Sequence, residues 1–268
     1  MNFSVLMSLY NGEKEDFLDI CLESLYKQTL PPSEIVIVFD GPIRDELESI
    51  VAKWELVLPI FRVILSKCSG LGNALNEGLK CCNYDIICRM DTDDVCHPSR
   101  FEKQVCFFNE HPEVSMVGSW VGEFDETTER IHAVRKVPVE HADIITYAKK
   151  RNPFNHMAIA YKKSAVLSAC AYQDDYLYED YALWVRMIQN GVVTANLPEI
   201  LVYARTGNGM ELRRGGVAYF FSELKVQYRF YKTGLINIYE FIRNIVIRLP
   251  VRFLPGKFRK YIYRSFLR

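Results

Sequence analysis

Short apolar runs alternate with segments of helical periodicity over roughly the first third of the chain. Four such runs, each followed by polar or turn residues, predict buried strands at residues 3–9, 34–39, 61–65 and 84–89. Between them, apolar residues recur every three or four positions and predict helices at residues 17–25, 45–54 and 71–82. Alternating strands and helices are typical of a parallel sheet with helices on both faces, which binds ligands at the carboxyl ends of its strands. The pattern therefore predicts an α/β fold.

The alternation becomes less regular after Pro98. We expect a helix that ends near Asn109, strands at residues 114–120 and 157–161, and helices at residues 142–149 and 179–189. No internal repeat or linker divides this part, so residues 1–216 are predicted to form one domain whose second half completes the same sheet. From residue 217 onward the pattern is helical, with interruptions at Gly234, Pro250 and Pro255.

Charge is balanced over the whole chain but uneven along it. The 33 basic and 33 acidic residues give no net charge, so we expect no nucleic acid partner. From Arg213 to Arg268, however, thirteen basic residues stand against two acidic ones. Basic segments rich in aromatic and aliphatic residues are typical of helices that lie in a membrane interface. Residues 217–268 are therefore predicted to contact an anionic membrane, the alternative being a helical appendage packed on the domain.

Cysteine usage and the start of the chain predict a compartment. Eight cysteines are scattered without the spacing of a zinc site, which favours free thiols in a reducing environment. The N-terminal segment lacks the basic start and long apolar stretch of a signal peptide, and no apolar run has spanning length. We expect a cytosolic protein, or one held on a membrane from its cytosolic side.

Asp91, Asp93 and Asp94 directly follow the fourth predicted strand. Carboxylates this close raise each other's pKa unless a cation or hydrogen-bond donors compensate. Hard oxygen ligands of this kind suit Mg²⁺ or Mn²⁺ held jointly with phosphates. The cluster predicts a divalent metal site, while capping of the next helix by Asp94 or Ser99 stays open as the simpler alternative.

A second acidic pair, Glu179 and Asp180, opens the last predicted helix of the domain beside Tyr178, Tyr181 and Trp184. Acidic residues in a first helical turn often interact only with the helix dipole. The neighbouring rings favour another interpretation, in which they offer flat apolar faces to a sugar. Asp180 would then accept a proton from the sugar's hydroxyl.

Five ordered segments carry a family resemblance. They are residues 4–12 (SVLMSLYNG), 38–41 (VFDG), 70–78 (GLGNALNEG), 89–94 (RMDTDD) and 179–184 (EDYALW). Together they resemble the inverting family 2 glycosyltransferases of the GT-A fold, a mixed sheet flanked by helices. Within that family they are similar to galactosyltransferases of bacterial O-antigen and amylovoran-type polysaccharide synthesis.

This resemblance implies a reaction and its participants. The enzyme would move a sugar, galactose by preference, from a UDP-sugar to a hydroxyl of a polyprenyl-diphosphate-linked saccharide, with inversion at the anomeric carbon. Glucose and N-acetylhexosamine donors are alternatives. Such an acceptor places the protein in the cytoplasm, peripheral on the inner face of the cell membrane.

The resemblance also implies roles for individual residues. The nucleotide sugar would be bound by Leu9, Tyr10, Asp40, Lys67, Gly70, Asn73, Arg89 and Asp91. Asp93, together with Asp91, would hold Mn²⁺ or Mg²⁺, and Asp180 would be the catalytic base. The acceptor or sugar pocket would comprise Glu179, Trp184, Arg213 and Arg214.

Two departures and two other classes of protein complete the sequence interpretation. Cys68 stands where the family often has Asn, and the lone His156 is interpreted as structural. A nucleotidyltransferase would carry a Gly-rich loop with Arg or Lys after the first strand, which residues 10–13 do not provide. A non-catalytic nucleotide-binding protein would not need both acidic motifs.

Overall fold

One sheet of nine strands runs through the main domain of the computed structural model, which describes residues 1–206 and 216–253. The strands are β1 (Ser4–Leu9), β2 (Glu34–Phe39), β3 (Ile60–Ile64), β4 (Ile86–Arg89), β5 (Val95–Cys96), β6 (Val114–Phe124), β7 (Ile131–Arg135), β8 (Ala160–Lys162) and β9 (Val193–Arg205). The helices are α1 (Glu15–Tyr26), α2 (Asp45–Glu55), α3 (Leu71–Cys81), α4 (Arg100–Glu110), α5 (His141–Ala148), α6 (Lys163–Ser168), α7 (Glu179–Gln189), α8 (Val217–Lys232) and α9 (Ile238–Phe253).

The first four strands form the parallel half of the sheet in the order β3-β2-β1-β4. Strands β1 and β2 are buried along nearly their whole length because helices cover both faces. Gly78 lets α3 approach this half closely, since a Cβ there would lie 2.5 Å from side chains of Leu6 and Val38. The predicted parallel α/β unit is confirmed, and its polar strand ends share one edge.

The second half of the chain extends the same sheet, as predicted. β8 pairs antiparallel with both β4 and β6, β6 runs parallel to β9, and β9 pairs antiparallel with β5. The strand predicted at 157–161 begins later than expected: His156–Ala158 is a turn of 3-10 helix that precedes β8. β9, which the sequence pattern did not predict, brings Arg205 to the edge that carries the aspartates.

Two apolar layers cover the sheet. One contains Leu18 and Leu22 of α1 and Phe101 of α4, and the other contains Leu75 of α3 and Leu183 of α7. Because both faces are buried, only the strand ends and the loops between elements offer room for a ligand.

The two tail helices pack on the main domain through a third apolar cluster. Val226, Phe230 and Ile236 meet Tyr181 and Val185 of α7 there. The predicted interruption at Gly234 is confirmed, with φ at 77°, whereas α9 continues past Pro250 and that predicted break is wrong. Within residues 1–206 and 216–253, no helix is both long and apolar enough to cross a membrane.

A candidate active site at the edge of the sheet

The three aspartates that follow β4 converge in space. Within the described residues, Asp91, Asp93 and Asp94 form one group of carboxylates whose candidate ligand oxygens all lie within 4.8 Å of one another. Asp94 is buried and the other two are partly exposed. The cluster can therefore receive a ligand from the solvent side while the sheet holds it from behind.

The electrostatics of this cluster call for a cation. Burial, with the carboxylates of Asp91 and Glu13 nearby, raises the pKa of Asp93 to about 7. Burial, with the carboxylates of Asp91 and Asp93 nearby, raises the pKa of Asp94 well above its usual range. Asp94 Oδ2 is also buried without a hydrogen-bond partner among the described residues. A divalent cation with oxygen ligands fits this donor set and would relieve the repulsion.

Arg205 stands beside the cluster and was missed by the sequence analysis. Its backbone amide donates to Asp94 Oδ1 at 2.8 Å, and its Nε donates to the carbonyl of Asp93 at 3.1 Å. The guanidinium lies between the rings of Phe17 and Phe124, 3.9 and 4.6 Å from their centroids. Its signal in the sequence is a basic residue at the end of an apolar run, which is too common to single out.

Arg89 places a buried guanidinium on the other side of Asp91. It is 1% exposed and pairs with Asp91 Oδ1. Its Nε and Nη1 are buried and make no hydrogen bond to any described residue. Two unsatisfied guanidinium nitrogens next to a carboxylate cluster are suited to the oxygens of an anionic ligand such as a diphosphate.

Asp40, expected to face the nucleoside, holds the loop between β3 and α3. Its Oδ1 accepts from the amide and hydroxyl of Ser69 at 2.6 and 3.0 Å, and its Oδ2 accepts from the amide of Gly70 at 3.1 Å. Cys68, at the position where Asn was expected, donates its thiol to the same Oδ2 at 3.4 Å. Asp40 thus fixes the loop that carries two of the predicted nucleotide-binding residues, Lys67 and Gly70.

The remaining residues predicted to bind the nucleotide border this loop or the end of β1. Leu9 is fully buried at the end of β1, whereas Tyr10, which follows it, is 51% exposed. Lys67 is exposed, and Asn73 donates its side-chain amide to the carbonyl of Ser69 at 2.9 Å. Tyr10, Lys67 and Asn73 therefore present side chains to solvent, whereas Leu9 does not.

Asp180 lies in the first turn of α7, where it is partly exposed. Its Oδ1 accepts from the amide of Tyr181 at 2.6 Å, and its Oδ2 accepts from Nδ2 of Asn152 at 2.7 Å. Asn152, from the loop after α5, is a second residue that no sequence pattern indicated. The hydrogen bond from Asn152 holds the Asp180 carboxylate in one orientation.

Glu179 and the start of α3 are direct neighbours. A Cβ on Gly72 would lie 3.4 Å from Cγ of Glu179 and 3.3 Å from Cβ of Tyr172. Burial raises the pKa of Tyr172, the Arg89 cation opposes this rise, and the carboxylates of Asp180 and Asp91 add to it. Tyr172 is therefore close enough to interact with both Asp91 and Asp180, which places the two acidic motifs in the same region of the domain.

The predicted sugar platform is wrong for three aromatic residues. Trp184 is 0% exposed, and the rings of Phe154, His156, Tyr161 and Tyr172 surround it at centroid distances of 5.9 to 6.3 Å. Tyr178 and Tyr181 are buried as well, because they face the tail helices. These rings are buried beside Glu179 and Asp180, and they do not form a surface for a sugar.

His156 is structural, in agreement with its sequence interpretation. Its Nε2 lies 3.0 Å from the hydroxyl of Tyr172, and burial, aided by the Arg89 cation, lowers its pKa well below the usual value. Arg213 and Arg214, predicted to contact donor or acceptor, lie outside the described residues. The eight cysteines are free thiols, as expected.

Fold and site together are typical of an α/β transferase. The model of the family described as glycosyl transferase family 2 matches residues 4–174, and the chain belongs to this family. It is 41% identical over 266 residues to "UDP-Gal:alpha-D-GlcNAc-diphosphoundecaprenol beta-1,3-galactosyltransferase" of Escherichia coli, with 99% of this chain and 96% of the relative covered. It is 43% identical over 266 residues to "Amylovoran biosynthesis glycosyltransferase AmsE" of Erwinia amylovora, with 98% of each covered.

A solved structure confirms the fold at lower sequence similarity. The chain resembles residues 1–349 of TarS from S. aureus, crystallised in complex with UDP-GlcNAc, with a TM-score of 0.70 and 18% identity. The match covers 100% of this chain and 76% of the other. The chain thus has the GT-A fold, and it is a glycosyltransferase of a family whose members act in polysaccharide synthesis.

Proposed function

We propose that this enzyme transfers galactose from UDP-galactose to a hydroxyl of a polyprenyl-diphosphate-linked N-acetylglucosamine, with inversion, in bacterial surface polysaccharide synthesis. The observation that carries this proposal is the 41% identity, over nearly the whole of both chains, to an enzyme whose name specifies that donor and that acceptor. Residues 1–216 form the catalytic domain in this proposal, and residues 217–268 form its tail.

Donor binding is assigned to the edge formed by β1, β2, β4 and the start of α3. Tyr10 and Lys67 offer exposed side chains to the nucleoside, and Asp40 shapes the loop through Gly70 that borders it. The unsatisfied N–H groups of Arg89 face the diphosphate in this proposal. The side chains of Asp40 and Arg89 are already held by the fold, so that binding needs little further ordering of these two groups.

The metal is assigned to Asp93 and Asp91 and is Mn²⁺ or Mg²⁺. Three closely grouped carboxylates, of which Asp93 and Asp94 have raised pKa values, are the supporting observation. A bound ion of this kind supplies positive charge to the departing diphosphate. Asp94 holds the loop through the amide of Arg205 and directs its second oxygen toward the same cluster.

Asp180 is assigned as the base of a single displacement. The acceptor hydroxyl gives its proton to the Asp180 carboxylate while its oxygen forms the new bond to the anomeric carbon. The bond from that carbon to the diphosphate breaks, and its electron pair leaves with UDP. Attack from the side opposite the leaving group inverts the anomeric configuration.

The test of this function is a panel of donors with one acceptor. UDP-galactose, UDP-glucose and UDP-N-acetylhexosamines are each incubated with a synthetic lipid that carries N-acetylglucosamine on a diphosphate, and UDP release and product are measured. We expect acceptor-dependent release with UDP-galactose above the other donors. Preference for another donor would show that its sugar, and not galactose, is the one transferred. UDP release with no dependence on the acceptor would overturn the proposal.

Metal affinity is expected to depend on pH. Because the raised pKa of Asp93 makes its ionisation unfavourable, the metal-free protein loses stability as pH rises through about 7. Below that pH protons compete with the ion, so Mn²⁺ should raise the melting temperature more at about pH 8 than at about pH 6. Thermal unfolding with and without Mn²⁺ checks this, and Asp93→Asn should remove most of the difference. An equal effect of Mn²⁺ at both pH values would contradict the assignment.

The tail is assigned a peripheral contact with the inner face of the cell membrane, where the lipid-linked acceptor resides. Tyr239, Ile242 and Val246 are more than half exposed and follow one another on one face of α9. Thirteen basic residues from Arg213 onward add attraction to anionic lipid. Packing of the tail helices on the domain is compatible with this contact, because the exposed face of α9 points away from the domain.

Replacement of Ile242 and Val246 together by Gln is expected to weaken binding to vesicles that contain anionic lipid, because apolar area and charge act jointly in such binding. Co-sedimentation with the vesicles measures the bound fraction. Leu56→Gln is the matched control, since Leu56 is an 85% exposed apolar residue of the catalytic domain. Equal binding by the double variant and the control would contradict membrane contact through α9.

A further inference from the structure

Three buried polar side chains of the tail helices face the catalytic domain. Glu223 and Gln227 of α8 are fully buried, and Asn244 of α9 is nearly so. Buried polar groups are retained at low cost only when they are hydrogen-bonded, and a buried carboxylate needs a positive or donor partner. Their partners show which parts of the domain the tail holds.

The first connection reaches the residue that begins α7. Glu223 Oε2 accepts from the hydroxyl of Tyr178 at 2.6 Å, and Glu223 Oε1 pairs with Arg248 of α9. Tyr178 is the N-cap residue of α7, two positions before Asp180. The tail therefore holds the start of the helix that carries the base.

The turn before Tyr178 is held by the tail as well. Asp175 is buried and pairs with Arg186 of α7 at 3.2 Å and with Arg229 of α8. Leu177, between these anchors, has φ at 67°, a left-handed conformation that is unfavourable for a residue with a Cβ. Such a conformation persists when its surroundings over-determine it, and here α8 supplies part of those surroundings.

The second connection reaches the segment just before Asn152, the residue whose side chain donates a hydrogen bond to Asp180. Asn244 donates its Nδ2 to the carbonyl of Lys149 at 2.8 Å and to Oε1 of Gln227 at 2.9 Å. Arg248 donates to the carbonyl of Lys150. Both carbonyls lie just before Asn152, whose amide donates to Asp180 Oδ2. The tail thus holds both the segment that leads into Asp180 and the segment that leads into Asn152, the donor to its carboxylate.

We infer that α8 and α9 position Asp180 for catalysis, through Tyr178 on one side and Asn152 on the other. The inference rests on the proposed role of Asp180 as base, and it assigns Tyr178, Asn152, Glu223 and Arg248 as positioning residues. By this inference the tail helices contribute to the active site, independently of any contact with lipid. Loss of these contacts is expected to lower kcat, since the misoriented base loses alignment, and to leave donor binding unchanged.

Single substitutions in the full-length chain test this inference. Tyr178→Phe removes one hydroxyl that donates to Glu223, and Asn152→Ala removes the donor to Asp180. Both are expected to lower kcat about tenfold or more, with donor KM and UDP affinity close to wild type. Gln189→Ala is the matched control, because it removes a hydrogen bond of 2.8 Å between the far end of α7 and Thr233 of the tail. A kcat within twofold of the control for both variants would overturn the inference.

A cycle with Asp180→Asn separates this inference from the proposed function. If Tyr178 and Asn152 act through Asp180, their substitution in the Asp180→Asn background should cause little further loss of the residual turnover. Losses that multiply in full would show that they act elsewhere and would overturn the inference. Wild-type turnover by Asp180→Asn alone would overturn the base assignment and the inference with it. An inactive Asp180→Asn beside fully active Tyr178→Phe and Asn152→Ala would overturn the inference alone.

Discussion

Asp180→Asn is expected to lower kcat about a thousandfold, because a positioned base contributes roughly 10²- to 10⁴-fold to such a transfer. The substituted amide keeps the size of the side chain but cannot accept the acceptor's proton. UDP affinity should be unchanged, since Asp180 lies on α7 and the predicted nucleotide contacts lie on other elements. Product formation with the lipid-linked acceptor gives kcat, and calorimetric titration with UDP gives the affinity.

The matched control for this variant is Asp143→Asn. Asp143 is an exposed aspartate in the first turn of α5, so the substitution makes the same chemical change at a helix start outside the cleft. It should leave kcat near the wild-type value. Turnover of Asp180→Asn within a few-fold of this control would exclude Asp180 as the base.

Asp93→Ala is expected to reduce activity by about a hundredfold or more, because metal-bound charge at a leaving group contributes several kcal/mol. Exhaustive dialysis against EDTA should have the same effect on the wild-type enzyme, and added Mn²⁺ should restore the dialysed enzyme but not the variant. The measurement is initial rate against metal concentration. Asp45→Ala, at an exposed position in the first turn of α2, serves as the control. Full activity after complete removal of metal would refute a role for the cluster in catalysis.

The first half of the fold could be predicted from the sequence because its strands are buried on both faces. Runs such as residues 34–39 are almost wholly apolar and end in turn residues, so their bounds agree with β2. β9 could not be found in this way. It contains Asn196, Pro198 and Glu199, and its pairing with β6 shifts register near Trp120, which breaks any regular pattern.

The site shows the same division between local and long-range information. The aspartates after β4 are adjacent in the chain, so their grouping was predictable from the strand that delivers them. Asn152, in a loop, contacts Asp180, in α7, although the two residues are 28 positions apart in the chain. No local sequence pattern indicates this contact. Trp184 was misassigned because aromatic residues beside an acidic pair suggest a sugar site. Its helical spacing from Tyr181 and Ile188 instead places it on the buried face of α7.

The contacts of Arg205 indicate that folding of the loop with Asp93 and Asp94 and binding of a metal are separate steps. Its amide, its guanidinium and the rings of Phe17 and Phe124 hold the loop of Asp93 and Asp94 with contacts that come entirely from the protein. The chain can therefore complete its fold before it encounters a divalent ion, unlike small domains that fold only when metal binds. Scarcity of metal in the cell would then leave a folded, idle pool of enzyme that resumes work when the ion returns.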